Sequence, residues 1–315
     1  MTKEACSNNE YSNSESSSER NHDACSYREC LKYGESRLSK AGISEAANDA
    51  WLLFSEVFQV SRARYYMDMN RVCDLEKWLR YNQWLKLRAK RIPLQHITGH
   101  ASFMGYEFYV NEHVLTPRAD TEILVEETFA VIKRKAGEKR GEPVRILDMC
   151  TGSGCIAISL ACMAEEIGIS CEITAVDLSE HALLVAGRNN QALCHGKVSL
   201  IKSNLFESLP DTMEFDIIVS NPPYIKSEEI ADLMPEVRDH EPRMALDGKE
   251  DGLYFYRRLA EEGKNFLKSG GRILFEIGYD QGISVPAILE NYGYVQCRVI
   301  KDLAGLERVA AAGRV

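Results

Sequence analysis

The residues best equipped for chemistry are Ser220-Asn221-Pro222-Pro223-Tyr224-Ile225, which follow directly on the apolar run Phe215-Asp216-Ile217-Ile218-Val219. Each proline fixes its own φ and pushes the residue before it toward extended geometry, so a strand that runs into two of them ends in a stiff turn. Proline also has no N–H. The carbonyls of Asn221 and Pro222 therefore face a ligand without a neighbouring backbone donor competing for them, and Tyr224 adds a flat face. The combination suits a planar group carrying an NH2. By itself it does not distinguish an adenine from an amide.

A second stretch, Asp148-Met149-Cys150-Thr151-Gly152-Ser153-Gly154-Cys155-Ile156, leads out of an apolar run and into a helical pattern. Gly152 and Gly154 let the backbone turn tightly and approach a ligand with no Cβ in the way. Asp177, 23 residues beyond Gly154, ends the next strand, where a carboxylate can accept hydrogen bonds from both hydroxyls of a ribose. The loop lacks a further G-x-x-G glycine and a Gly-Lys-Ser/Thr, so it suits a nucleoside with a small phosphate-free tail better than a pyrophosphate. S-adenosylmethionine has that shape. Lys202-Ser203-Asn204-Leu205-Phe206 follows the third strand; Asn204 can pair with an adenine edge while Leu205 or Phe206 covers its face.

The elements that must position these groups are legible as a change of period. Val144–Met149, Glu172–Val176, Val198–Ile201, Phe215–Val219, Arg272–Ile277, Tyr294–Ile300 and Leu306–Ala310 read as strands. Helical patterns at Cys155–Glu165, Ser179–Leu193, about 252–268 and 281–291 alternate with them. That alternation predicts an α/β domain with seven strands in a mostly parallel sheet covered on both faces, with ligands gathered at the carboxyl ends of the strands. Upstream, apolar residues recur at helical spacing from Leu31 through Trp51, Phe54, Trp78 and Leu85, predicting a small bundle of four or five helices over residues 25–91.

Pro93 and Gly99 break that pattern and mark a linker over 92–119; they argue against a helix there, and so against a metal site at His96 and His100. Alternation over residues 101–115 predicts a β-hairpin. Asp120 or Thr121 is expected to cap the helix that opens the catalytic domain, residues 120–315.

Composition sets the outer limits. Of 315 residues 45% are hydrophobic and 27% charged, as in a globular protein. No apolar run approaches the roughly 18 residues that cross a bilayer, and no secretory leader pattern opens the chain, so the expected location is cytoplasmic. The ten cysteines contain no C-x-x-C, and several fall in apolar segments where free thiols behave as small hydrophobes. A net charge of −9 disfavours broad phosphate binding and suits a basic protein partner; direct nucleic-acid binding is not expected. Residues 1–24, rich in Ser, Asn and Glu, are expected to be a disordered tail.

With these motifs in view, the chain resembles the amino-group methyltransferases that use S-adenosylmethionine, and within them the release factor glutamine methyltransferases, also called the HemK family. The matching stretches are Pro93-Leu-Gln-His-Ile-Thr-Gly99, Leu115-Thr-Pro-Arg-Ala-Asp-Thr-Glu122, Asn221-Pro-Pro-Tyr-Ile225, Arg238-Asp-His-Glu-Pro-Arg243, Asp251-Gly-Leu253, Glu276-Ile-Gly278 with Asp280-Gln-Gly282, and Asp302-Leu-Ala-Gly-Leu-Glu-Arg308. The chain departs from the family at Cys150, where glycine is usual, and at Asn204 and Leu205, where Asp and an aromatic are common.

The resemblance implies a Rossmann-like methyltransferase domain behind the helical bundle, S-adenosylmethionine as cofactor, and transfer to the glutamine amide in the Gly-Gly-Gln motif of class-1 peptide release factors. Cys150, Thr151, Gly152, Ser153, Gly154, Asp177, Asn204, Leu205 and Asn221 would hold the cofactor. The Asn221 side-chain oxygen and the Pro222 carbonyl would accept the two N–H bonds of the amide, with Pro223 shaping the turn, Tyr224 stacking on the amide plane and Phe103 as the candidate for the opposite wall. An amide nitrogen is a poor nucleophile; holding its NH2 in line favours the positive charge that develops there. The sulfonium supplies the leaving group, so the reaction calls for no metal. Arg118, Arg243, Arg308 and Glu276 read as structural or partner contacts. A ribosomal-protein glutamine methyltransferase, a nucleic-acid adenine methyltransferase and a non-catalytic binding module are the competing readings.

Overall fold

The structure is a computed structural model that describes residues 25–139 and 141–315. The expected tail over 1–24 lies outside the described residues. The chain divides into two compact units, one ending at Lys90 and the other spanning Arg91–Val315.

The first unit contains α1 (Tyr27–Lys40), α2 (Ala46–Phe58), α3 (Arg62–Asp68) and α4 (Leu75–Ala89). Local chemistry starts these helices: Ser26 and Glu29 form a reciprocal capping box on α1, and Asp74 caps α4 by accepting from the Lys77 N–H at 3.1 Å. Phe54 is the centre of the packing, with the rings of Tyr27, Trp51, Phe58, Tyr65 and Tyr81 all within about 6 Å of its own. Trp51 and Trp78 are buried, whereas Leu75 and Leu79 are exposed, because the inward seam of α4 runs through Trp78, Tyr81, Leu85 and Arg88. The buried Arg88 guanidinium is paired with Asp49 at 2.7 Å.

The second unit opens with a single helical turn, α5 (Leu94–Thr98), where the sequence argued against a helix. Pro93 occupies the N-cap position, where no N–H is needed, and Gly99 takes the left-handed C-cap with φ 81°, so both supposed breakers serve as its ends. His100 already belongs to the next strand. A hairpin of β1 (His100–Phe103) and β2 (Tyr106–Tyr109) follows, shorter than the alternation suggested. Beyond it Asn111 folds its side chain back onto the His113 N–H at 3.1 Å, which ends the ladder.

α6 (Ala119–Glu138) then leads to the alternating elements β3 (Val144–Met149), α7 (Cys155–Glu166), β4 (Cys171–Asp177), α8 (Glu180–Cys194), β5 (Val198–Lys202), β6 (Phe215–Ser220), α9 (Pro235–Arg238), α10 (Tyr254–Phe266), β7 (Leu267–Glu276), α11 (Ser284–Asn291), β8 (Val295–Lys301) and β9 (Glu307–Gly313). The sheet order is β5-β4-β3-β6-β7-β9-β8, parallel except where β9 runs antiparallel to β7 and β8. The seven-stranded, mostly parallel sheet is therefore as expected. Its residues alternate between two cores: Ile146, Ile217, Val219 and Leu274 face the helices α6 and α7, while Leu147, Met149, Ile218 and Phe275 face α10 and α11. No helix among the described residues is long and apolar enough to cross a membrane.

Candidate active site

The chain runs outward from β3 to β5 on one side of the sheet and returns to place β6 on the other side of β3. The order of strands thus reverses between β3 and β6, the position where the ends of two parallel strands splay and leave a crevice. The register sets Met149 opposite Ser220, so the loop that begins at Cys150 and the turn that begins at Asn221 leave the sheet side by side. The Ser220 hydroxyl donates to the Met149 carbonyl at 2.6 Å and ties the two ends together.

Asp148 organises the first loop from beneath. It is fully buried, and its Oδ2 accepts from the Thr151 hydroxyl at 2.6 Å and the Ala157 N–H at 3.2 Å. Burial pushes its pKa up to about 7, against the pull of these two donors. Cys150 takes a left-handed backbone, φ 62°, which a side chain tolerates only under strain. Gly152, φ 56°, has open space where a Cβ would stand, and its N–H donates to Asp177 Oδ2 at 2.8 Å. Asp177 Oδ1 accepts from the Ser179 N–H at 2.8 Å, so the carboxylate fixes the ends of both β3 and β4 loops while keeping lone pairs for a ligand.

These segments enclose a cavity of about 210 Å³. Cys150, Thr151, Gly152, Ser153, Asp177, Asn204, Leu205, Asn221 and Pro223 all line it, brought together from the ends of four strands. The donor set fits S-adenosylmethionine. Asp177 brings a carboxylate that can accept from hydroxyl groups, Leu178, Leu205 and Phe255 offer apolar surface for a base, and the glycine loop contributes no cation that would select a phosphate.

Four sequence candidates fall elsewhere. Phe103 is 1% exposed, packed edge-on against Phe108 in the core beside α6, because the hairpin turns that face inward; it is not a wall of the cavity. Gly154 is the N-cap of α7, where a Cβ would meet Ala186 at 3.2 Å, so its smallness serves the packing of α7 on α8. Pro222 is buried within the turn. Tyr224 is turned toward Glu276, its hydroxyl donating to Oε1 at 3.3 Å. Asn204 does line the cavity, but its side chain is already engaged, donating to Glu207 Oε1 at 2.6 Å and accepting from Arg258 at 3.4 Å. Phe206 is stacked on Phe266 in the core, which leaves Leu205 as the surface there.

Other residues complete the site without a local signal in the sequence. Phe255 and Met244 reach the cavity from segments downstream, and only the tertiary fold brings them there. Glycines allow that approach: a Cβ at Gly248 would stand 2.8 Å from the Tyr224 backbone, and one at Gly252 2.5 Å from the Tyr224 carbonyl. The two segments join through the Ile225 N–H on the Leu246 carbonyl and the Gly248 N–H on the Ile225 carbonyl. Asp120 and Thr121, expected as caps, lie inside α6, whose N-cap Arg118 makes no side-chain cap bond. Asp120 instead pairs with Arg308 at 3.1 Å, and the Thr121 hydroxyl accepts from Asn221 Nδ2 at 3.2 Å. Arg118 is bound to the buried Glu241 at 2.7 Å.

Comparison with known proteins agrees with this geometry. The family model described as the PrmC N-terminal domain matches residues 29–99, and the methyltransferase small domain matches residues 131–237. A release factor glutamine methyltransferase of Clostridium acetobutylicum is 40% identical over 270 residues, covering 84% of this chain and 90% of that protein. Proteins of the same name from Fusobacterium nucleatum, 38% identical over 87% of this chain and 75% of the relative, and from Geobacter sulfurreducens, 35% identical over 91% and 96%, are similar to it as well.

Proposed function

The chain belongs to the release factor glutamine methyltransferase family, and from that premise we propose that it transfers a methyl group from S-adenosylmethionine to the glutamine side-chain amide in the Gly-Gly-Gln motif of class-1 release factors. The observation that carries the reading is the meeting of Asn221 and Pro223 with the Cys150–Ser153 loop and Asp177 in one cavity at the switch between β3 and β6. When bound there, S-adenosylmethionine supplies an electrophilic methyl on a sulfonium. Asp177 accepts from ribose hydroxyls, Leu205 and Phe255 flank the base, and Gly152 lets the backbone come close.

The chain's own work on the amide is orientation. The Asn221 side-chain oxygen accepts an N–H of the amide, which aligns the nitrogen for transfer and stabilises the positive charge it gains. Burial and the nearby Glu276 raise the pKa of the Tyr224 hydroxyl, so Tyr224 stays a neutral ring beside the turn. The helical unit serves to grip the release factor, and the cytoplasm is where that substrate is met. Labelled S-adenosylmethionine offered with purified release factor, ribosomal protein and oligonucleotide separates the readings: label on the release factor is expected, and label on nucleic acid alone would overturn the assignment.

A further inference from the structure

Three free cysteines meet inside the helical unit. Cys30 Sγ stands 3.2 Å from Cys25 Sγ and 2.8 Å from Cys73 Sγ. Cys30 and Cys73 are 43 positions apart, so nothing local in the sequence announces the meeting.

The backbone brings the sulfurs together. Ser26 and Val72 form an antiparallel bridge, which sets Cys25 opposite Cys73, and the Cys73 N–H donates to the Cys25 carbonyl at 2.8 Å. The Tyr27 N–H on the Arg71 carbonyl and the Arg28 N–H on the Met69 carbonyl, each at 3.0 Å, carry the pairing into α1. The first turn of α1, started by the Ser26–Glu29 capping box and closed by the Cys30 N–H on the Ser26 carbonyl at 2.9 Å, places Cys30 against both other cysteines. Cys30 is fully buried, whereas Cys25 and Cys73 are half-buried, so the shared sulfur is sealed and its neighbours are partly open to solvent.

The spacing points to sulfur chemistry rather than to a metal. Thiolates around a zinc ion, each about 2.3 Å from it, lie about 3.8 Å from one another. The sulfurs here are closer than that, and no group of His, Cys, Asp and Glu among the described residues is arranged to hold a metal ion. A disulfide is about 2.0 Å long, so Cys30 and Cys73 have only about 0.8 Å to close, a matter of side-chain rotation with the backbone pairing left in place.

We propose that Cys30 and Cys73 are a site of reversible oxidation, forming with a small-molecule disulfide as oxidant a bond that locks α1 to the segment leading into α4. In a reducing compartment such a pair rests as two thiols, and the bond is a response to oxidant rather than a permanent tie. It closes a loop around α2 and α3, which restrains the unfolded chain and slows local opening of α1.

The oxidation balances in two exchanges. Cys73, partly open to solvent, attacks one sulfur of glutathione disulfide; a mixed disulfide forms on Cys73, and the released glutathione thiolate takes the Cys73 proton. Contact with Cys73 and burial raise the Cys30 pKa far above its ordinary value, so this thiol stays protonated and reacts second. Its sulfur attacks the Cys73 sulfur, the second glutathione leaves with the Cys30 proton, and the chain has lost two electrons to the two glutathione thiols formed.

The test takes the full reduced chain, incubates it with oxidised glutathione, blocks remaining thiols and maps the digested peptides by mass spectrometry. The expected product joins the Cys30 and Cys73 peptides with a mass about 2 Da below their sum as thiols, and dithiothreitol reverses it. Amide hydrogen exchange in α1 should slow at least about tenfold on oxidation. Cys73→Ser, at a half-buried position, should lose both the joined peptide and the slowing, and it keeps the comparison available if Cys30→Ser fails to fold.

A chain that keeps both thiols, carries glutathione on Cys73 without going further, joins Cys30 to Cys25 instead, or leaves α1 exchange unchanged overturns the inference. None of these readouts needs a methyl acceptor, so their failure leaves the proposed function intact.

Discussion

Ser220 and Met149 face each other across the β3–β6 pair, and the Ser220 hydroxyl donates to the Met149 carbonyl at 2.6 Å with Ser220 fully buried. This one bond joins the strand that carries the cofactor loop to the strand that carries the Asn221 turn. Ser220→Ala leaves that carbonyl without its side-chain donor and is expected to lower the free energy of unfolding by about 1–2 kcal/mol. Denaturant melts of the two proteins check the size of the effect; an unchanged midpoint would show that the bond contributes nothing.

Asn221→Ala separates orientation from cofactor binding. Methyl transfer should fall by about a hundredfold or more, on the scale of losing one preorganised polar contact to a developing charge. Calorimetry with S-adenosylmethionine should find its Kd little changed. Near-normal turnover would remove Asn221 from the mechanism.

Asp177→Ala should have the opposite signature. Its carboxylate holds the Gly152 and Ser179 N–H groups, each at 2.8 Å, and is the acceptor we propose for a ribose. Losing charge-assisted bonds of this kind is expected to weaken cofactor binding by roughly tenfold or more. The measurement is the Kd, and an affinity equal to wild type would refute the assignment.

Phe103→Ala tests the correction to the sequence reading. A buried phenylalanine packed against Phe108 contributes to the core, so the substitution should cost about 3–5 kcal/mol of stability. Under conditions where the variant is folded, its KM for the release factor should stay near the wild-type value. A KM that rises with stability unaffected would return Phe103 to the substrate wall.

Asp148 predicts a pH trend of defined sign. Its folded-state pKa, pushed up to about 7 by burial, lies above that of an unfolded aspartate, so the folded chain holds the proton more tightly. The stabilisation from this group is fully present below the unfolded value and is lost as pH rises through about 7. In Asp148→Asn that loss is absent, and the stability of the variant relative to wild type should climb with pH by up to roughly 1.4 kcal/mol per unit across the window from about 4 to 7. Unfolding curves at several pH values read it; a difference independent of pH would mean that Asp148 keeps its charge throughout.

The alternation of strand and helix, the seven strands and the cofactor loop are legible in the sequence because each is written locally, in apolar period, glycine spacing and proline placement. The same holds for the Asn221 turn. The assignments that failed are those in which a local preference met a stronger partner from far along the chain. Asp120 and Thr121 have the chemistry of caps, yet Arg308 and Asn221 engage them from β9 and the end of β6. Phe103 is an aromatic near a binding loop, yet the hairpin turns it into the core. Pro93 and Gly99 read as breakers, and they bound a helix one turn long.

Sequence alone thus determined that Asn221 presents amide chemistry on a rigid turn. The partner that this amide meets is a threonine 100 positions earlier, whose hydroxyl accepts from its Nδ2 at 3.2 Å. Side-chain direction is set by partners in space, and those partners exist only once β6 and α6 have packed together.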